Sequence, residues 1–210
     1  MMKVLIADDH PVVRHGLRQM LAQESDVTVV GEARDGQEVI DLCGRVAWDV
    51  AVLDYHMPGK NGLELVKELR QRYPGRSVLI LSMYPEDTYA VRALKAGASG
   101  YLTKESAPED LVAAIRKVAA GGKYVTPALG ERLALDLEDS RGAPTHETLS
   151  DREYQIMWMI VSGKALTQIG QELGLSPNTI STYRARILRK MGMKNNAELL
   201  HYAIQHHLVS

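Results

Sequence analysis

The residues of this chain best suited to chemistry each stand directly after a short, mainly apolar run. Such runs are typical of parallel strands buried on both faces, so we expect these residues at the carboxyl ends of strands, where open α/β sheets bind ligands. Three carboxylates crowded there repel one another unless a cation offsets them, and oxygen ligands suit a hard ion such as Mg²⁺. A lysine and a hydroxyl beside that ion would suit an anion. The residues are Asp8 and Asp9 (after VLIA), Asp54 (after VAVL), Ser82 (after VLIL) and Lys104 (after GYLT).

The elements that would position these residues alternate between short apolar runs and amphipathic segments. Alternation of this kind predicts a parallel sheet covered by helices on both faces. Stop signals agree, because Pro74-Gly75, Gly97 and Gly121-Gly122 follow the third, fourth and fifth amphipathic segments. The predicted strands lie near residues 3–7, 27–31, 49–53, 77–81 and 100–102, and the predicted helices near 11–23, 35–44, 61–73, 86–96 and 108–121.

Residues 3–121, which carry these motifs in this order, resemble the receiver domain of two-component response regulators. The resemblance implies an α/β fold, a flavodoxin-like, doubly wound sheet of five parallel strands. It also implies that Asp54 is the phosphoacceptor. By the same resemblance Asp8, Asp9 and Asp54 hold Mg²⁺ together with the backbone carbonyl of His56.

The resemblance assigns roles to three further residues. It places Ser82 and Lys104 in contact with the incoming phosphoryl group, and Tyr101, three residues before the lysine, at an aromatic switch position. A carboxylate is a weak nucleophile toward phosphorus, so positioning and charge neutralisation must supply most of the catalysis. Two alternatives stay open. Tyr101 is either the switch or a packing residue at a strand end, and the side chain of His56 is either a solvated loop residue or a group that modulates dephosphorylation.

After Leu149 every predicted segment is helical. The first helix opens with a capping box and the third with an N-cap serine followed by proline, while glycines end the first three. Two short helices joined by the tight turn LGLS are typical of a helix-turn-helix motif. The predicted helices run from Ser150 to about Ser162, from Leu166 to Leu173, from Ser176-Pro177 to Met191, and from about Asn195 to His207.

The sequence of this segment resembles the LuxR-type, or NarL-type, DNA-binding domain over roughly 60 residues. The matching stretches are LSDRE at its start, SPNTIS at the beginning of the recognition helix, and KMGMKNNAELL beyond it. The resemblance implies an all-α domain of four helices that binds promoter DNA. The chain departs from the family at Leu166-Thr167, where a polar pair is common, and at Ser181, where a lysine is common, so base preference does not transfer from relatives.

A helical wheel of the recognition helix separates two faces. Ile180, Tyr183, Ile187 and Met191 cluster on one side, which we expect to pack inward. The opposite side is small, polar and tipped by cations, as suits a helix that enters a major groove. We expect Ser181 and Thr182 to read base edges and Arg186, Arg189 and Lys190 to hold phosphates. The full set of expected DNA contacts is Asn178, Ser181, Thr182, Arg184, Arg186, Arg189 and Lys190.

Composition supports two domains with different partners. The chain carries a net charge of −1, but from Leu149 onward it has seven basic and four acidic residues. This part is therefore the candidate for binding a polyanion. The single cysteine, Cys43, is expected to be a buried apolar residue and fits a reducing cytosol. The sequence shows no signal peptide or membrane-spanning stretch, so no membrane partner is expected.

These patterns predict a cytoplasmic bacterial response regulator with a receiver domain (1–121), a linker with a short helix opened by Pro127 (122–148), and a helix-turn-helix domain (149–210). The expected partners are a sensor histidine kinase, double-stranded promoter DNA, a second copy of the chain when phosphorylated, and RNA polymerase as a further candidate. The expected cofactor is Mg²⁺, and the chain is not expected to be an enzyme on an external substrate.

Two other classes of protein share parts of the pattern. Phosphohydrolases of the haloacid dehalogenase type also use a strand-end aspartate with Mg²⁺, but they need a second acid two residues later, where this chain has His56. A stand-alone DNA-binding protein with a degenerate receiver as a dimerisation module is the third class. The intact set of five polar residues argues against it, and a phosphorylation assay separates the two.

Overall fold

The computed structural model describes residues 1–57, 62–84, 86–106, 108–127, 129–131, 145–206 and 208–209. The chain divides into two compact units, Met1–Ala134 and Leu135–Ser210. In the part of the chain that the structure describes, the strands belong to the first unit and the second unit is helical.

The first unit is built on five parallel strands, β1 (Met2–Ala7), β2 (Val27–Ala33), β3 (Val50–Asp54), β4 (Ser77–Ser82) and β5 (Gly100–Thr103). Their order across the sheet is β2-β1-β3-β4-β5, and every pair is parallel. This is the flavodoxin-like order, so the predicted fold class is confirmed. In such a sheet the crevice between β1 and β3, where the strand order reverses, is the expected place for a ligand.

Helices cover both faces of the sheet, since successive strand residues are apolar and alternate strand residues point to opposite faces. Val4, Val52 and Leu79 are buried with residues of the first and fifth helices on one face. Leu5 and Leu53, which alternate with them, are equally inaccessible on the other. The helices are α1 (Pro11–Leu21), α2 (Gly36–Arg45), α3 (Gly62–Arg72), α4 (Glu86–Ala96) and α5 (Pro108–Ala119).

Over its described residues, 145–206 and 208–209, the second unit has four α-helices, α6 (Asp151–Val161), α7 (Leu166–Leu173), α8 (Pro177–Met191) and α9 (Asn196–Gln205). Their ends follow the local signals of the sequence. Ser150 and Glu153 form the predicted capping box, Ser176 caps α8, and Gly174 and Gly192 end α7 and α8 in the left-handed conformation. The last helix ends at Gln205, and the predicted end at His207 lies outside the described residues.

The segment predicted as a linker contains more ordered contacts than its polar composition indicates. Pro127 is helical, as expected, and Leu129 is buried. Residues 132–144 of the predicted linker lie outside the described residues. The segment predicted as a linker ends in a 3-10 helix at Thr145–Thr148. It is held because the backbone N–H of His146 donates to the hydroxyl of Tyr202, which also lies 2.9 Å from the His146 ring nitrogen Nδ1.

Two expectations based on composition concern the cysteine and the membrane. Cys43 is buried in α2, and burial raises the pKa of its thiol to about 12, so it stays a neutral packing residue. Among the described residues, no helix has both the length and the apolar character needed to cross a membrane.

Gly170 is the close-packing point of the helix-turn-helix. A Cβ there would lie 2.7 Å from the carbonyl oxygen of Leu175, a backbone atom in the turn before α8. We therefore expect Gly170→Ala to lower the free energy of unfolding of the second unit by about 1–3 kcal/mol. Calorimetry on the full chain measures this. The control is Gly16→Ala within α1, where a Cβ would meet open space, and this variant should not destabilise the chain. A Gly170→Ala chain as stable as the parent would contradict the packing argument.

Candidate functional site

Three acidic side chains meet at the carboxyl ends of β1 and β3, which are neighbours in the sheet. Asp8 follows β1 and is fully buried, Asp9 is partly exposed, and Asp54 ends β3 with 3% of its surface exposed. The pairing of Ala7 with Leu53 aligns the two strand ends. The structure thus brings together the three carboxylates that the sequence placed at this edge, and we call them the acidic pocket.

Lys104, directly after β5, reaches across the strand ends into the acidic pocket. Its Nζ lies 2.5 Å from Oδ2 of Asp8 and 3.0 Å from Oδ2 of Asp54. The lysine side chain is 9% exposed, so these ion pairs are shielded from water. One ammonium is set against three carboxylates, which leaves the pocket with an excess of negative charge.

Burial raises the pKa of Asp54 to about 6. Lys104 acts against this shift, the nearby Asp8 adds to it, and the backbone N–H of His56, 3.1 Å from Oδ1 of Asp54, again favours the charged form. For Lys104, burial lowers the pKa, but the attraction of Asp54 and Asp8 outweighs burial, so the net pKa is raised. The ammonium therefore remains charged at neutral pH.

The donor atoms of the pocket fit a bound cation. Ligand atoms of Asp8, Asp9, His10 and Asp54 all lie within 4.8 Å of one another. The three carboxylates suit a hard ion, whereas an imidazole suits softer metals. His10 was not singled out from the sequence, although it directly follows the aspartate pair, and its Nδ1 lies 2.7 Å from Oδ1 of Asp9.

Ser82 and Tyr101 are joined through the chain at Tyr84. Ser82 ends β4, is fully buried, and its hydroxyl accepts a hydrogen bond from the backbone N–H of Tyr84, at 3.1 Å. Tyr101 is also fully buried, and its hydroxyl donates to the carbonyl of Tyr84, at 2.9 Å. The sequence predicted Ser82 and Tyr101 but gave no signal for Tyr84, because the contact joins the backbone of one strand end to the side chain of another.

The ring of His56 packs against aromatic neighbours. Its centroid lies 4.6 Å from that of Tyr84 and 5.0 Å from that of Tyr55. Tyr84 in turn stacks on Tyr89 of α4 at 4.7 Å. The histidine is half-buried, and a role of its side chain in dephosphorylation stays a prediction. Its carbonyl as a metal ligand stays a prediction.

The second unit exposes the predicted polar face of α8. Asn178, Ser181 and Thr182 are exposed, while Ile180 and Ile187 are buried. The hydroxyl of Thr182 donates to the carbonyl of Asn178, at 3.0 Å. The prediction that Tyr183 packs inward is only partly correct. The residue is half-buried and lines an open groove with Asn178, Thr179, Thr182 and Arg186, because its long ring reaches the surface from a flank of the helix.

The basic residues of α8 differ in their contacts. Arg184 donates to the side chain of Asn196 at 2.6 Å, and Lys190 pairs with Glu153 of α6 at 2.6 Å. Both cations are thus oriented by the unit itself. Arg186 and Arg189 are exposed on the surface of the helix. The seven expected DNA contacts therefore include two side chains that also hold helices together, a distinction that helical periodicity does not reveal.

Known proteins resemble both units of the chain. The family model for the response regulator receiver domain matches residues 4–116, and that for bacterial regulatory proteins of the luxR family matches residues 147–203. Response regulator UvrY of Escherichia coli strain K12 is 36% identical over 209 residues, which cover 99% of this chain and 96% of that protein. Response regulator GacA of Pseudomonas aeruginosa is 38% identical over 210 residues, covering 100% and 98%.

A solved structure resembles the chain over both units. It is RcsB from Salmonella enterica serovar Typhimurium, bound to promoter rprA in the presence of the phosphomimetic BeF3−. The identity is 30%, the match covers 96% of this chain and 98% of that one, and the TM-score is 0.64.

Glu153 generates a prediction about pH. Burial works to raise its pKa, but the hydrogen bonds from Lys190 and from Ser150 outweigh burial and lower the pKa. A carboxyl group with a lowered folded-state pKa stabilises the fold above the ordinary pKa of glutamate, and this contribution disappears as the pH falls through the lowered value. We expect Glu153→Gln to destabilise the second unit at neutral pH and to flatten the acid side of its stability profile.

Thermal unfolding followed between neutral and acidic pH measures both effects. Lys190→Met removes the cation but leaves the Ser150 hydrogen bonds, so it should flatten the profile only in part. An unchanged acid slope in Glu153→Gln would show that this carboxyl group does not contribute to it.

Proposed function

Since the chain belongs to the response regulators that join a receiver domain to a LuxR-type DNA-binding domain, we propose that Asp54 accepts a phosphoryl group from the phosphohistidine of a sensor kinase. The observation that carries the proposal is the ion pair of Lys104 with both Asp8 and Asp54. An ammonium held among buried carboxylates at the β1/β3 crevice is suited to receive an anion there. Phosphorylation then promotes dimerisation and promoter binding.

The transfer is a displacement at phosphorus. A carboxylate oxygen of Asp54 bonds to phosphorus while the bond from phosphorus to the donor imidazole breaks, and the imidazole leaves with that electron pair. Lys104, 3.0 Å from Asp54, moves its contact to a phosphoryl oxygen. The hydroxyl of Ser82 turns toward the phosphoryl group and donates to one of its oxygens. In doing so it gives up the hydrogen bond that it accepts from the backbone N–H of Tyr84. These side chains act by positioning the group and offsetting its charge.

The residues that would hold Mg²⁺ are Asp8, Asp9 and Asp54, with the backbone carbonyl of His56. When bound, the ion supplies positive charge that offsets the acidic pocket and the phosphoryl oxygens. The clustered carboxylate oxygens and the excess of negative charge support this assignment. The imidazole of His10 contributes instead by orienting Asp9, 2.7 Å away.

The second unit is proposed to bind promoter DNA as a two-fold dimer with half-sites about one helical turn apart. Its positive charge and the exposed polar face of α8 support this, and the RcsB relative was solved on a promoter. Ser181 and Thr182 face base edges, with Asn178 beside them. Arg186 and Arg189 hold phosphates, while Arg184 and Lys190 contribute from the fixed positions that Asn196 and Glu153 give them.

The domain limits proposed are 1–121 for the receiver, 122–148 for the linker and 149–210 for the output domain. A kinase donor and a promoter target place the protein in the bacterial cytoplasm, with RNA polymerase as a candidate further partner. The match to the receiver family over residues 4–116 favours this function over a phosphohydrolase acting on external substrates.

Asp54 is expected to be the residue that carries the phosphoryl group. Incubation with acetyl phosphate should add the mass of one phosphoryl group to the parent chain, and only when Mg²⁺ or Mn²⁺ is present, because the acidic pocket repels an anion until a cation offsets it. Intact-mass spectrometry measures the adduct. An equal adduct on Asp54→Asn would place the nucleophile elsewhere.

Two variants serve as controls for this experiment. Lys104→Ala should retain affinity for Mg²⁺ while uncoupling phosphorylation from DNA binding, since the ammonium contacts the phosphoryl group rather than the ion. Asp9→Ala should lose the ion. Metal titration of the two variants side by side separates the roles, and equal losses would contradict them.

Residues on the exposed face of α8 are expected to differ in how they affect the salt dependence of DNA binding. Arg189→Ala should weaken binding to cognate and scrambled duplexes alike. It should also lower the salt slope, which is the steepness with which the logarithm of the binding constant falls with the logarithm of the salt concentration, by about 1, because a phosphate contact releases a counterion. Thr182→Ala should weaken the cognate duplex by about 1–3 kcal/mol, as loss of a good base contact does, and leave the slope unchanged.

Binding titrations at several salt concentrations measure both quantities. Lys117→Ala, which removes one charge from α5 in the other unit, is the matched control and should leave the slope unchanged. Equal weakening of both duplexes by Thr182→Ala, or an unaltered slope in Arg189→Ala, would contradict the assignment of the face.

A further inference from the structure

The chain that follows α5 returns to the edge of the sheet. We call residues 123–127 and 129–131 the edge segment. Tyr124 forms a parallel bridge with Gly100 of β5, and its backbone N–H donates to the carbonyl of Ser99 at 2.8 Å. Lys123 donates from Nζ to the carbonyl of Ala98 at 2.5 Å. Because β5 ends the sheet, its outer edge would otherwise present unpaired backbone groups.

The approach at this edge depends on a glycine. A Cβ on Gly100 would lie 2.9 Å from both Cβ and the carbonyl oxygen of Tyr124, which is closer than packed atoms tolerate. Further along, Leu129 is 2% exposed. The edge segment is therefore held against β5 at Tyr124, and Leu129 near its other end is shielded from water.

A second contact ties the edge segment to α4. The hydroxyl of Thr126 donates to Oε2 of Glu86, the first residue of α4, at 2.5 Å, and accepts from the backbone N–H of Leu129, at 3.2 Å. Among the described residues, none donates a hydrogen bond to the buried Oε1 of Glu86. Thr126 thus caps the short helical turn and donates a hydrogen bond to Glu86. Because the other carboxylate oxygen of Glu86 is buried away from water, the contact is sensitive to small displacements.

The connection that leads to Glu86 begins in the acidic pocket. Ser82, the predicted phosphoryl contact, accepts the backbone N–H of Tyr84, and the carbonyl of Tyr84 accepts the hydroxyl of Tyr101. Glu86 stands two residues beyond Tyr84 and four beyond Ser82. One short stretch of chain therefore contacts the pocket, the buried tyrosine of β5 and the edge segment in turn.

We propose that the edge segment is a latch whose bond to Glu86 is released when Asp54 is phosphorylated, an inference that rests on the proposed function of Asp54. A phosphoryl group adds about −1.5 to −2 charges and draws the Ser82 hydroxyl away from Tyr84. Tyr84 then shifts, and with it the start of α4. A hydrogen bond of 2.5 Å weakens steeply when its acceptor moves, so the edge segment leaves β5 and lengthens the tether to the output unit.

Hydrogen–deuterium exchange on the full chain tests the latch. Acetyl phosphate with Mg²⁺ should make the backbone amide of Tyr124, which is bonded to Ser99 at the edge of the sheet, exchange about tenfold faster, as expected for loss of one hydrogen bond to a charged group. Intact mass on the same sample reports the phosphoryl adduct. Glu86→Ala, which keeps the Thr126 cap on Leu129, should give the fast exchange without a phosphodonor while still forming the adduct.

Thr126→Val should match Glu86→Ala, the double variant should add nothing further, and Thr126→Ser should restore slow exchange. An adduct with unchanged exchange in the edge segment would overturn the latch and leave phosphorylation of Asp54 intact, whereas absence of any adduct would overturn both. Slow exchange in both Glu86→Ala and Thr126→Val would show that the bond to Glu86 does not hold the segment. Circular dichroism confirms that the compared variants are folded.

Discussion

The ammonium of Lys104 between the carboxylates of Asp8 and Asp54 is the interaction on which the first unit depends. Two acids this deeply buried repel each other, and removing one partner of such a pair typically costs about 3–5 kcal/mol. Lys104 follows β5, while the acids follow β1 and β3, so the ion pairs join the ends of three strands. The same arrangement leaves excess negative charge, and this explains why the pocket suits a cation and, after it, a phosphoryl group.

Contacts around the pocket extend its influence beyond the strand ends. The hydroxyls of Ser82 and Tyr101 both meet the backbone of Tyr84, and Glu86 follows on the same stretch of chain. We infer that a change of charge at Asp54 acts on this connection through these hydrogen bonds. Thr126 lies at the far end of this connection, in the edge segment, which is the last described stretch of the first unit. The proposed route from Asp54 to the edge segment is thus a short series of hydrogen bonds.

In the second unit, one buried carboxylate contacts two helices. Glu153 accepts the backbone N–H of Ser150 and pairs with Lys190, so one buried side chain fixes both the start of α6 and the position of α8. This constraint orients the recognition helix without using its exposed polar face. Arg184 is held in a similar way by Asn196. Two cations of α8 are thus held by contacts within the unit, whereas Arg186 and Arg189 are exposed on its surface, which is an arrangement suited to backbone contacts on DNA.

The sequence alone determined the parallel strands and the residues of the acidic pocket, because buried parallel strands read as apolar runs and their ends meet at one edge. The order of the strands was implied by the resemblance to receiver domains and not by the apolar runs. The sequence also located the caps at Ser150 and Ser176, which act over three residues. Tertiary structure decided the rest. The contact of Tyr101 with Tyr84, the pairing of Lys190 with Glu153 and the hydrogen bond from Thr126 to Glu86 join residues distant in sequence or act through backbone atoms. Such contacts leave no periodic signal, since they depend on how the elements pack and not on the local preferences of the chain.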